Sequence, residues 1–173
     1  MAATNTLRST ELWMPVPQWG SLYDVSDLGR VRSRPRTVAS KGGVRSAGGR
    51  ILTPALNGGG YLIVGLHNSG QRRIAGVHQL VVEAFLGPRS PGTEVRHLDG
   101  DRSNNRLSNL AYGTHSENML DKVAHGTHHE ANKTHCPRGH EYAGANLGRQ
   151  SDGSRRCRTC QRERRRVSVQ RII

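Results

Sequence analysis

The segment from His97 to Asn118, HLDGDRSNNRLSNLAYGTHSEN, constrains the fold of this chain more than any other part of the sequence. It begins at the end of a short apolar run, crosses a loop rich in Asp and Asn, and reaches a helix start at Thr114 and Glu117. Those two residues fit a capping box, in which a Thr hydroxyl and a Glu carboxylate satisfy first-turn amides. The pattern therefore predicts a strand, a polar loop and a capped helix, which can place a base beside a metal ligand.

Period-2 alternation predicts several short strands before this segment. They lie at residues 22–25, 31–34, 61–66 and 72–75. Turns at Asp27–Gly29 and at 68–70 join them in pairs. Residues 37–50 are rich in Gly, Ser and Arg, so we expect a flexible loop there.

Two helices are predicted from 3.6-residue periodicity. The first carries an apolar stripe at Val77, Leu80, Val81, Ala84 and Phe85. The second follows the capping box, and we expect Leu120, Val123 and Ala124 to continue its buried face. With a hydrophobic content of 34% and a single Phe, the chain has material for a thin α+β body rather than a large core.

The charge of the chain indicates a polyanionic partner. The formal net charge is +13 at pH 7, and the basic residues concentrate in two stretches that flank the His97–Asn118 segment in sequence. In the first stretch Arg30, Arg32 and Arg34 share one face of a strand, because strand side chains alternate. In the second, Arg164, Arg165 and Arg166 are expected to extend a basic helix along DNA phosphates.

The sequence also bounds the compartment. No run approaches the ~20 apolar residues that span a bilayer, and the segment MAATNTLRST has no apolar core of a signal peptide. The three Cys are clustered near one end, which argues against a secreted disulfide scaffold. We therefore expect an intracellular protein with neither a membrane nor a small-molecule substrate as partner.

The residue types in the 97–118 segment suit phosphodiester hydrolysis. This reaction needs a base to activate water and a divalent cation to bind the scissile phosphate. His97 is suited to be the base, and an amide oxygen from Asn109 can fix its tautomer and pin the loop. Asn118, in the first turn of the capped helix, offers an oxygen to a hard cation. Taken singly, Asn109 is better explained as a turn former and His97 as a satisfied histidine at a strand end.

The ordered set resembles the HNH nuclease family. VHQLVVEAF (Val77–Phe85), GDRSNNRLSNL (Gly100–Leu110) and SENM (Ser116–Met119) look like the form in phage-encoded homing endonucleases. Glu11–Ser33 is similar to the NUMOD-type DNA-binding motif that precedes such domains. The resemblance implies an α+β, ββα-metal (His-Me finger) nuclease with His97 as general base, Asn109 as orienting residue and Asn118 as metal ligand.

One residue departs from the family pattern. The position before the base is commonly Asp, His or Asn and serves as a metal ligand, whereas here it is Arg96, which cannot ligate a cation. Either Asp99 or Asp101 then supplies the carboxylate for Mg²⁺ or Mn²⁺, or the ion is held weakly by Asn118, water and DNA phosphate. A non-catalytic DNA-binding or regulatory protein on a degenerate HNH scaffold is the alternative that Arg96 motivates.

A second metal site is predicted near the C-terminal end. Cys136-x3-His140 and Cys157-x2-Cys160 provide four ligands in two close pairs, the set that a tetrahedral structural Zn²⁺ requires. A Cys157–Cys160 disulfide or free thiols are the alternatives. Such tails resemble those of some actinophage HNH proteins. Charge and cysteines alone also fit an RNA- or ribosome-associated zinc protein.

Together these patterns predict a four-part chain. Its parts are an N-terminal β-rich DNA-binding region (1–56), an HNH nuclease domain (57–126), a linker (127–135) and a zinc-binding module with a basic tail (136–173). The expected function is a metal-dependent endonuclease of the homing type that hydrolyses double-stranded DNA. If the chain is phage-encoded, it acts in the cytoplasm of a bacterial host. The sequence defines no oligomeric state.

Overall fold

The computed structural model describes residues 10–68 and 70–170, with side chains to residue 167 in the last helix. The chain divides into two compact units, Met1–Asp121 and Lys122–Ile173. Residues 1–10 are the segment in which no signal peptide was expected. Of these, only Thr10 belongs to the described residues. Within the described ranges, no helix has both the length and the apolar character that crossing a bilayer requires.

The first unit begins with an antiparallel three-stranded sheet. Its strands are β1 (Trp13–Pro15), β2 (Tyr23–Ser26) and β3 (Val31–Ser33), in that spatial order. β2 and β3 confirm two predicted strands, and Gly29 adopts a φ of 81° in the turn between them. The Tyr23 hydroxyl donates to the His67 carbonyl at 3.1 Å and accepts from the His67 amide at 3.0 Å, which ties this sheet to the next.

The stretch 37–50 is not the flexible loop that its composition indicated. It forms a hairpin of β4 (Arg36–Ser40) and β5 (Gly43–Ala47), whose two-residue turn precedes Gly43 with its φ of 126°. The β-branched residues Val38 and Val44 favour extended backbone, and the ladder satisfies the main-chain groups. Val44 is 77% exposed, so no buried face produces the alternation by which a strand is recognised.

A second three-stranded sheet leads directly into the first helix. It consists of β6 (Ala55–Leu56), β7 (Leu62–Asn68) and β8 (Gln71–Gly76), and helix α1 (Val77–Phe85) follows without a gap. The β7–β8 hairpin is as predicted, although Ser69 of its turn lies outside the described residues. Val77, Leu80 and Val81 are buried, which confirms the predicted stripe of α1.

One hydrophobic core joins the elements of the first unit. Its buried members are Val16, Trp19, Tyr23, Val25, Val31, Val64, Leu66, Ala75, Val77, Leu80, Val81, Val82 and Leu110. The core therefore draws residues from both three-stranded sheets and from α1. Burial of this modest, mainly aliphatic set removes apolar surface from water, which stabilises the unit.

The 97–118 segment lies within a hairpin followed by a helix. β9 (Thr93–His97) pairs antiparallel with β10 (Leu110–Thr114), and α2 (His115–Ala124) continues directly from β10. The capping box is confirmed, because Glu117 accepts from the Thr114 amide at 2.7 Å while the Glu117 amide donates to the Thr114 hydroxyl at 3.2 Å.

The expected buried face of α2 is wrong. Leu120 is 65% exposed and Val123 47% exposed, and none of the ten residues of α2 is fully buried. The helix is attached to β9 by polar side chains instead, so its apolar residues are not needed for docking. The amphipathic pattern of the sequence does not show whether a helix docks through its apolar side chains or through its polar ones.

The second unit is small. A short 3-10 turn (Gly144–Asn146) leads into a hairpin of β11 (Leu147–Arg149) and β12 (Arg155–Cys157), and α3 (Arg158–Gln170) follows. Asp152 and Gly153 lie in the hairpin turn, as predicted.

Gly29 is expected to tolerate no side chain. A Cβ there would lie 2.8 Å from both the Cβ and the carbonyl oxygen of Asn105, at a φ that L residues rarely adopt. Gly29→Ala should reduce the free energy of unfolding by about 2–4 kcal/mol. Urea unfolding monitored by tryptophan fluorescence measures this, because Trp13 and Trp19 are the only tryptophans. Gly42→Ala, which meets no atom within 4 Å, is the control. Equal loss in both variants would contradict the steric argument.

Candidate functional site

His97 lies at the end of β9, where the hairpin enters the Asn-rich loop. It is 9% exposed, and its ring centroid lies 5.3 Å from that of His78 on α1 and 5.9 Å from that of Tyr61. Its Nε2 lies 3.3 Å from Oδ1 of Asn105. Burial lowers the pKa of His97 below its ordinary value, although the Asn105 hydrogen bond and the nearby Asp99 and Asp101 act in the opposite direction. The imidazole is therefore neutral near pH 7.

Asn109 does not hold the His97 ring in the expected way. Its Oδ1 accepts from the Asp99 amide at 3.0 Å, and its Nδ2 donates at 2.9 Å to both Asp99 Oδ1 and the Asn104 carbonyl. The contact with the imidazole comes from Asn105, which the sequence analysis missed. Asn109 thus pins the loop, which was the second part of its expected role. Nothing in the spacing separates the two asparagines, and both are buried, with exposures of 3% for Asn105 and 8% for Asn109.

Asp99 and Asp101 are occupied within the same loop. Asp99 accepts from the Asp101 amide at 2.8 Å and from Nδ2 of Asn104 at 2.6 Å, in addition to Asn109. Asp101 accepts from the amide and hydroxyl of Ser103. These hydrogen bonds lower the pKa of both carboxyl groups, the largest cause being Asn104 for Asp99 and Ser103 for Asp101. The two carboxylates that were expected to replace a metal ligand therefore hold the loop together.

Arg96 points to the opposite face of β9 and is clamped against α2. Its Nε and Nη2 donate to the two oxygens of Asp121 at 2.6 and 2.9 Å, and its Nη1 lies 3.4 Å from Glu117. The hydrogen bond to Asp121 raises the pKa of Arg96. Gly113 on β10 leaves room for this side chain, since a Cβ there would lie 2.4 Å from Cδ of Arg96. The hairpin and helix are thus built around a permanent cation at this position.

Asn118 meets β9 on the same face as Arg96. Its Nδ2 donates to Oε2 of Glu94, and Oε1 of that carboxylate lies 2.9 Å from Nδ1 of His115. Glu94 and Arg96 alternate with His97 along the strand, so they project from the other side of the hairpin. The sequence motif indicates Asn118 but neither Glu94 nor His115, because these two residues do not belong to it.

A cleft lies between α1 and β9, next to Tyr61 and His78, whose rings adjoin that of His97. It has a volume of about 340 Å³ and is lined by Tyr61, Arg73, His78, Arg89, Glu94 and Tyr112, among others. Among the described residues His78 is unusual, because its buried Nδ1 has no hydrogen-bond partner. Burial, with a smaller contribution from His97, lowers the pKa of His78 to about 4. The imidazole of His78 is therefore also neutral, and it lies next to that of His97.

The second unit brings Cys136, His140, Cys157 and Cys160 together. Their ligand atoms all lie within 4.8 Å of one another. Nδ1 of His140 lies 3.6, 3.7 and 3.2 Å from the sulfurs of Cys136, Cys157 and Cys160, and the Cys136 and Cys160 sulfurs are 3.7 Å apart. Tetrahedral ligands at zinc bond lengths are separated by roughly 3.5–3.8 Å. The donor set therefore fits one tetrahedral ion, and the expected group of residues is confirmed.

Electrostatics favours a cation at this group. The Cys160 backbone amide lowers the pKa of Cys157 to about 6, whereas desolvation and the neighbouring sulfurs raise the pKa of Cys160 to about 11. All three cysteines are free, so the disulfide alternative is absent. A thiolate cluster without a cation is unfavourable, and a bound divalent ion removes that repulsion. Oε1 of Glu163 lies 3.7 Å from Nε2 of His140 and can orient its ring.

The predicted DNA-contacting arginines lie at the surface of their units. Arg30 pairs with Glu11, while Arg32 and Arg34 donate to the two oxygens of Asp24 at 3.0 and 2.7 Å. Their side chains remain 42–50% exposed. The other predicted group, Arg164, Arg165 and Arg166, is exposed on α3. The internal pairs fix the first group on one face, as the strand alternation predicted.

Family models match two stretches of the first unit. Residues 75–120 match the model described as HNH endonuclease, and residues 11–67 match that described as NUMOD4 motif. DNA endonuclease I-HmuI of Bacillus phage SP01 is 29% identical over 102 residues, which make up 59% of this chain and 52% of that protein. An uncharacterised HNH endonuclease of Acanthamoeba polyphaga mimivirus, L245, is 28% identical over 90 residues, 52% of this chain and 23% of that protein.

A solved structure supports the same relationship. The structure titled DNA binding and cleavage by the HNH homing endonuclease I-HmuI matches with a TM-score of 0.54 and 28% identity, over 67% of this chain and 60% of that one. This chain therefore spans about half the length of the curated I-HmuI and about a quarter of L245. The expected α+β fold and the expected resemblance are both confirmed.

The buried His78 should make the first unit sensitive to acid. Its pKa of about 4 lies below the ordinary value of 6.5, so the unfolded chain binds its proton more readily. The resulting stabilisation is complete above about pH 6.5 and is lost as the pH falls towards 4, by roughly 1–2 kcal/mol after allowance for partial exposure. His78→Phe should remove this part of the pH dependence. Urea unfolding at pH 7 and pH 4.5, monitored by tryptophan fluorescence, measures it.

His129→Phe is the matched control, because the His129 side chain is 83% exposed. If the free energy of unfolding depends on pH to the same extent in His78→Phe and His129→Phe, His78 is not the cause of the acid sensitivity.

Proposed function

We propose that this chain is a divalent-metal-dependent DNA endonuclease of the homing type, because its residues 75–120 match the HNH endonuclease model and its residues 11–67 match the NUMOD4 motif. Its substrate is double-stranded DNA, whose phosphodiester bonds it hydrolyses. The observation that carries the proposal is a buried, neutral His97 in the matched domain, held by an amide oxygen at 3.3 Å. Its site of action is the cytoplasm of a bacterial host.

His97 acts as the general base in this proposal. The Asn105 oxygen accepts a hydrogen bond from Nε2–H, which assigns the proton of the neutral ring to Nε2. Nδ1 then carries the lone pair that removes a proton from water. Burial lowers the pKa of the ring and keeps this lone pair available at neutral pH.

Asn109 is a positioning residue in the same mechanism. Its amide closes the loop through Asp99 and Asn104, and its carbonyl accepts from the Leu98 amide at 2.9 Å. This closure fixes the backbone that follows His97 and keeps Asn105 in reach of the ring. The catalytic geometry is thereby fixed before substrate binds, which limits the reorganisation that the reaction requires.

A divalent ion, when bound, neutralises charge on the scissile phosphate and stabilises the leaving oxygen. We assign Asn118 as one of its ligands, since the amide oxygen of a first-turn Asn suits a hard cation. Asp99 remains the alternative carboxylate ligand, and its loop hydrogen bonds fix the position of its side chain. Arg96 is excluded as a ligand because it is a cation.

DNA binding is assigned to the two basic groups. Arg30, Arg32 and Arg34 belong to the proposed DNA-binding region 1–56, and Arg164, Arg165 and Arg166 to the module 136–173 that follows the HNH domain (57–126) and linker (127–135). Exposed guanidinium groups bind phosphates and carry no sequence information by themselves. In the module, Cys136, His140, Cys157 and Cys160 hold a structural Zn²⁺, which lets a segment with little core fold.

The nuclease proposal predicts the effect of removing the base. Supercoiled plasmid incubated with Mg²⁺ or Mn²⁺ should be nicked or linearised by the parent protein. His97→Ala should reduce the rate by about 10²–10⁴-fold. His129→Ala, which removes an exposed histidine, should cleave like the parent. Equal cleavage by the His97→Ala and parent proteins refutes the assignment of the base.

The alternative function is a DNA-binding protein without catalysis, which Arg96 in place of a ligand favours. Tight DNA binding by the parent, with no cleavage under Mg²⁺, Mn²⁺ or any other divalent ion, would establish this alternative.

The zinc assignment predicts one equivalent of Zn²⁺ per chain in elemental analysis. His140→Ala should lose the metal, whereas His135→Ala, which removes an exposed neighbouring histidine, should keep it. Glu163→Gln should lower the affinity about 10–100-fold, because the carboxylate orients the ligand ring. Zinc bound equally by the His140→Ala and parent proteins would show that this group is not the site.

A further inference from the structure

The contact between β9 and α2 carries an excess of negative charge, although the chain as a whole is strongly basic. Three carboxylates, from Glu94, Glu117 and Asp121, lie there with one guanidinium, from Arg96. We term this contact the β9–α2 seam; without His115, the three carboxylates and one guanidinium sum to a charge of −2. A cation placed between these carboxylates and a DNA phosphate would reduce their mutual repulsion.

Arg96 cannot serve as that cation, because its charge is already committed. Asp121 binds it in a bidentate pair at 2.6 and 2.9 Å, and Glu117 lies on its remaining terminal nitrogen at 3.4 Å. Its side chain is 17% exposed. Arg96 is therefore unavailable to a phosphate. A cation that contacts a phosphate at the seam would have to bind near Glu94.

Glu94 gathers two metal-ligating side chains from α2. His115 and Asn118 are three residues apart, so they lie on the same helix face. The Glu94 carboxylate uses one oxygen for each, with Oε1 at 2.9 Å from Nδ1 of His115. Ligand atoms that occupy adjacent positions around an octahedral ion are separated by roughly 3 Å at bond lengths of about 2.1 Å. The three side chains are thus close enough to share one ion.

The amide of Asn118 can present its oxygen without any backbone movement. Its nitrogen faces Glu94 when the carboxylate is the neighbour, and a half turn of the amide places the oxygen there instead. One carboxylate, one imidazole and one amide oxygen then converge from two rigid elements. Both ligating side chains on α2 are in its capped first turn, which restricts their motion.

We propose that Glu94, His115 and Asn118 form a divalent-cation site in the β9–α2 seam. Glu94 replaces the ligand that is lost at Arg96, two residues earlier on the same strand face. The mixed nitrogen and oxygen donors favour Mn²⁺ over Mg²⁺. The role of this ion in cleavage rests on the proposed nuclease function, but its binding does not.

Mn²⁺ binding tests the site without any cleavage assay. The full-length, zinc-loaded protein is titrated with Mn²⁺, and free Mn²⁺ is followed by electron paramagnetic resonance. The parent should bind one Mn²⁺, and Glu94→Gln should weaken that binding at least about tenfold. Asp99→Asn, at the carboxylate that the sequence favoured, should bind like the parent. Binding that is lost in Asp99→Asn and kept in Glu94→Gln overturns the proposal, as does the absence of a bound Mn²⁺ in the parent.

A variant that binds Mn²⁺ more tightly keeps the proposal testable if Glu94→Gln fails to fold. Asn118→Asp replaces the amide with a carboxylate, so it should bind Mn²⁺ more tightly than the parent. Its melting temperature should fall without Mn²⁺, because two carboxylates then face each other, and should recover when Mn²⁺ is added. A melting temperature that does not respond to Mn²⁺ contradicts the site even if Glu94→Gln fails to fold.

The outcomes separate this site from the proposed nuclease function. Specific Mn²⁺ binding without plasmid cleavage would support the site and refute the nuclease. Metal-dependent cleavage with the same Mn²⁺ requirement in Glu94→Gln and in the parent would support the nuclease and refute the site.

Discussion

The hydrogen bonds of one buried asparagine hold the functional region of the first unit together. Asn109 joins the amide and carboxylate of Asp99 to the carbonyl of Asn104, and thereby closes the loop between β9 and β10. A loop this polar is stable only if its groups satisfy one another, since buried groups without partners are costly. The position of His97 and the reach of Asn105 both follow from this closure.

The closed loop is also buttressed by the N-terminal sheet. The Leu107 amide donates to the Asp27 carbonyl at 2.7 Å, and Gly29 packs directly against Asn105. The same sheet contributes Tyr23, Val25 and Val31 to the core that buries α1. Because the core and the loop contacts are shared, the arginine face of β3 is held rigidly relative to His97. In the proposed function, an arginine face held in this way orients the DNA, whereas a tethered one would only concentrate it.

The sequence patterns predicted the elements that have a buried face. The stripe of α1 and the alternation of β2 and β3 follow from burial, so their periodicity was visible. The β4–β5 hairpin and helix α2 have no fully buried face. The prediction of a loop at residues 37–50 and that of a buried stripe on α2 were therefore both wrong. Within the site, residue type and spacing located His97 and the four ligands of the second unit. They could not separate Asn105 from Asn109, because the backbone path of the loop decides which amide reaches the ring.

The two proposed metal sites of this chain differ in the chemistry of their donors. Three sulfurs and an imidazole nitrogen, crowded at 3.2–3.7 Å, suit a soft ion in a closed tetrahedron. The β9–α2 seam offers oxygen donors with a single nitrogen and lies partly open to solvent, as the exposure of Glu94 and His115 shows. Such a set retains water and leaves positions for phosphate oxygens. The thiolates of the proposed zinc site therefore suit a softer ion than the oxygen-rich donors of the proposed seam site.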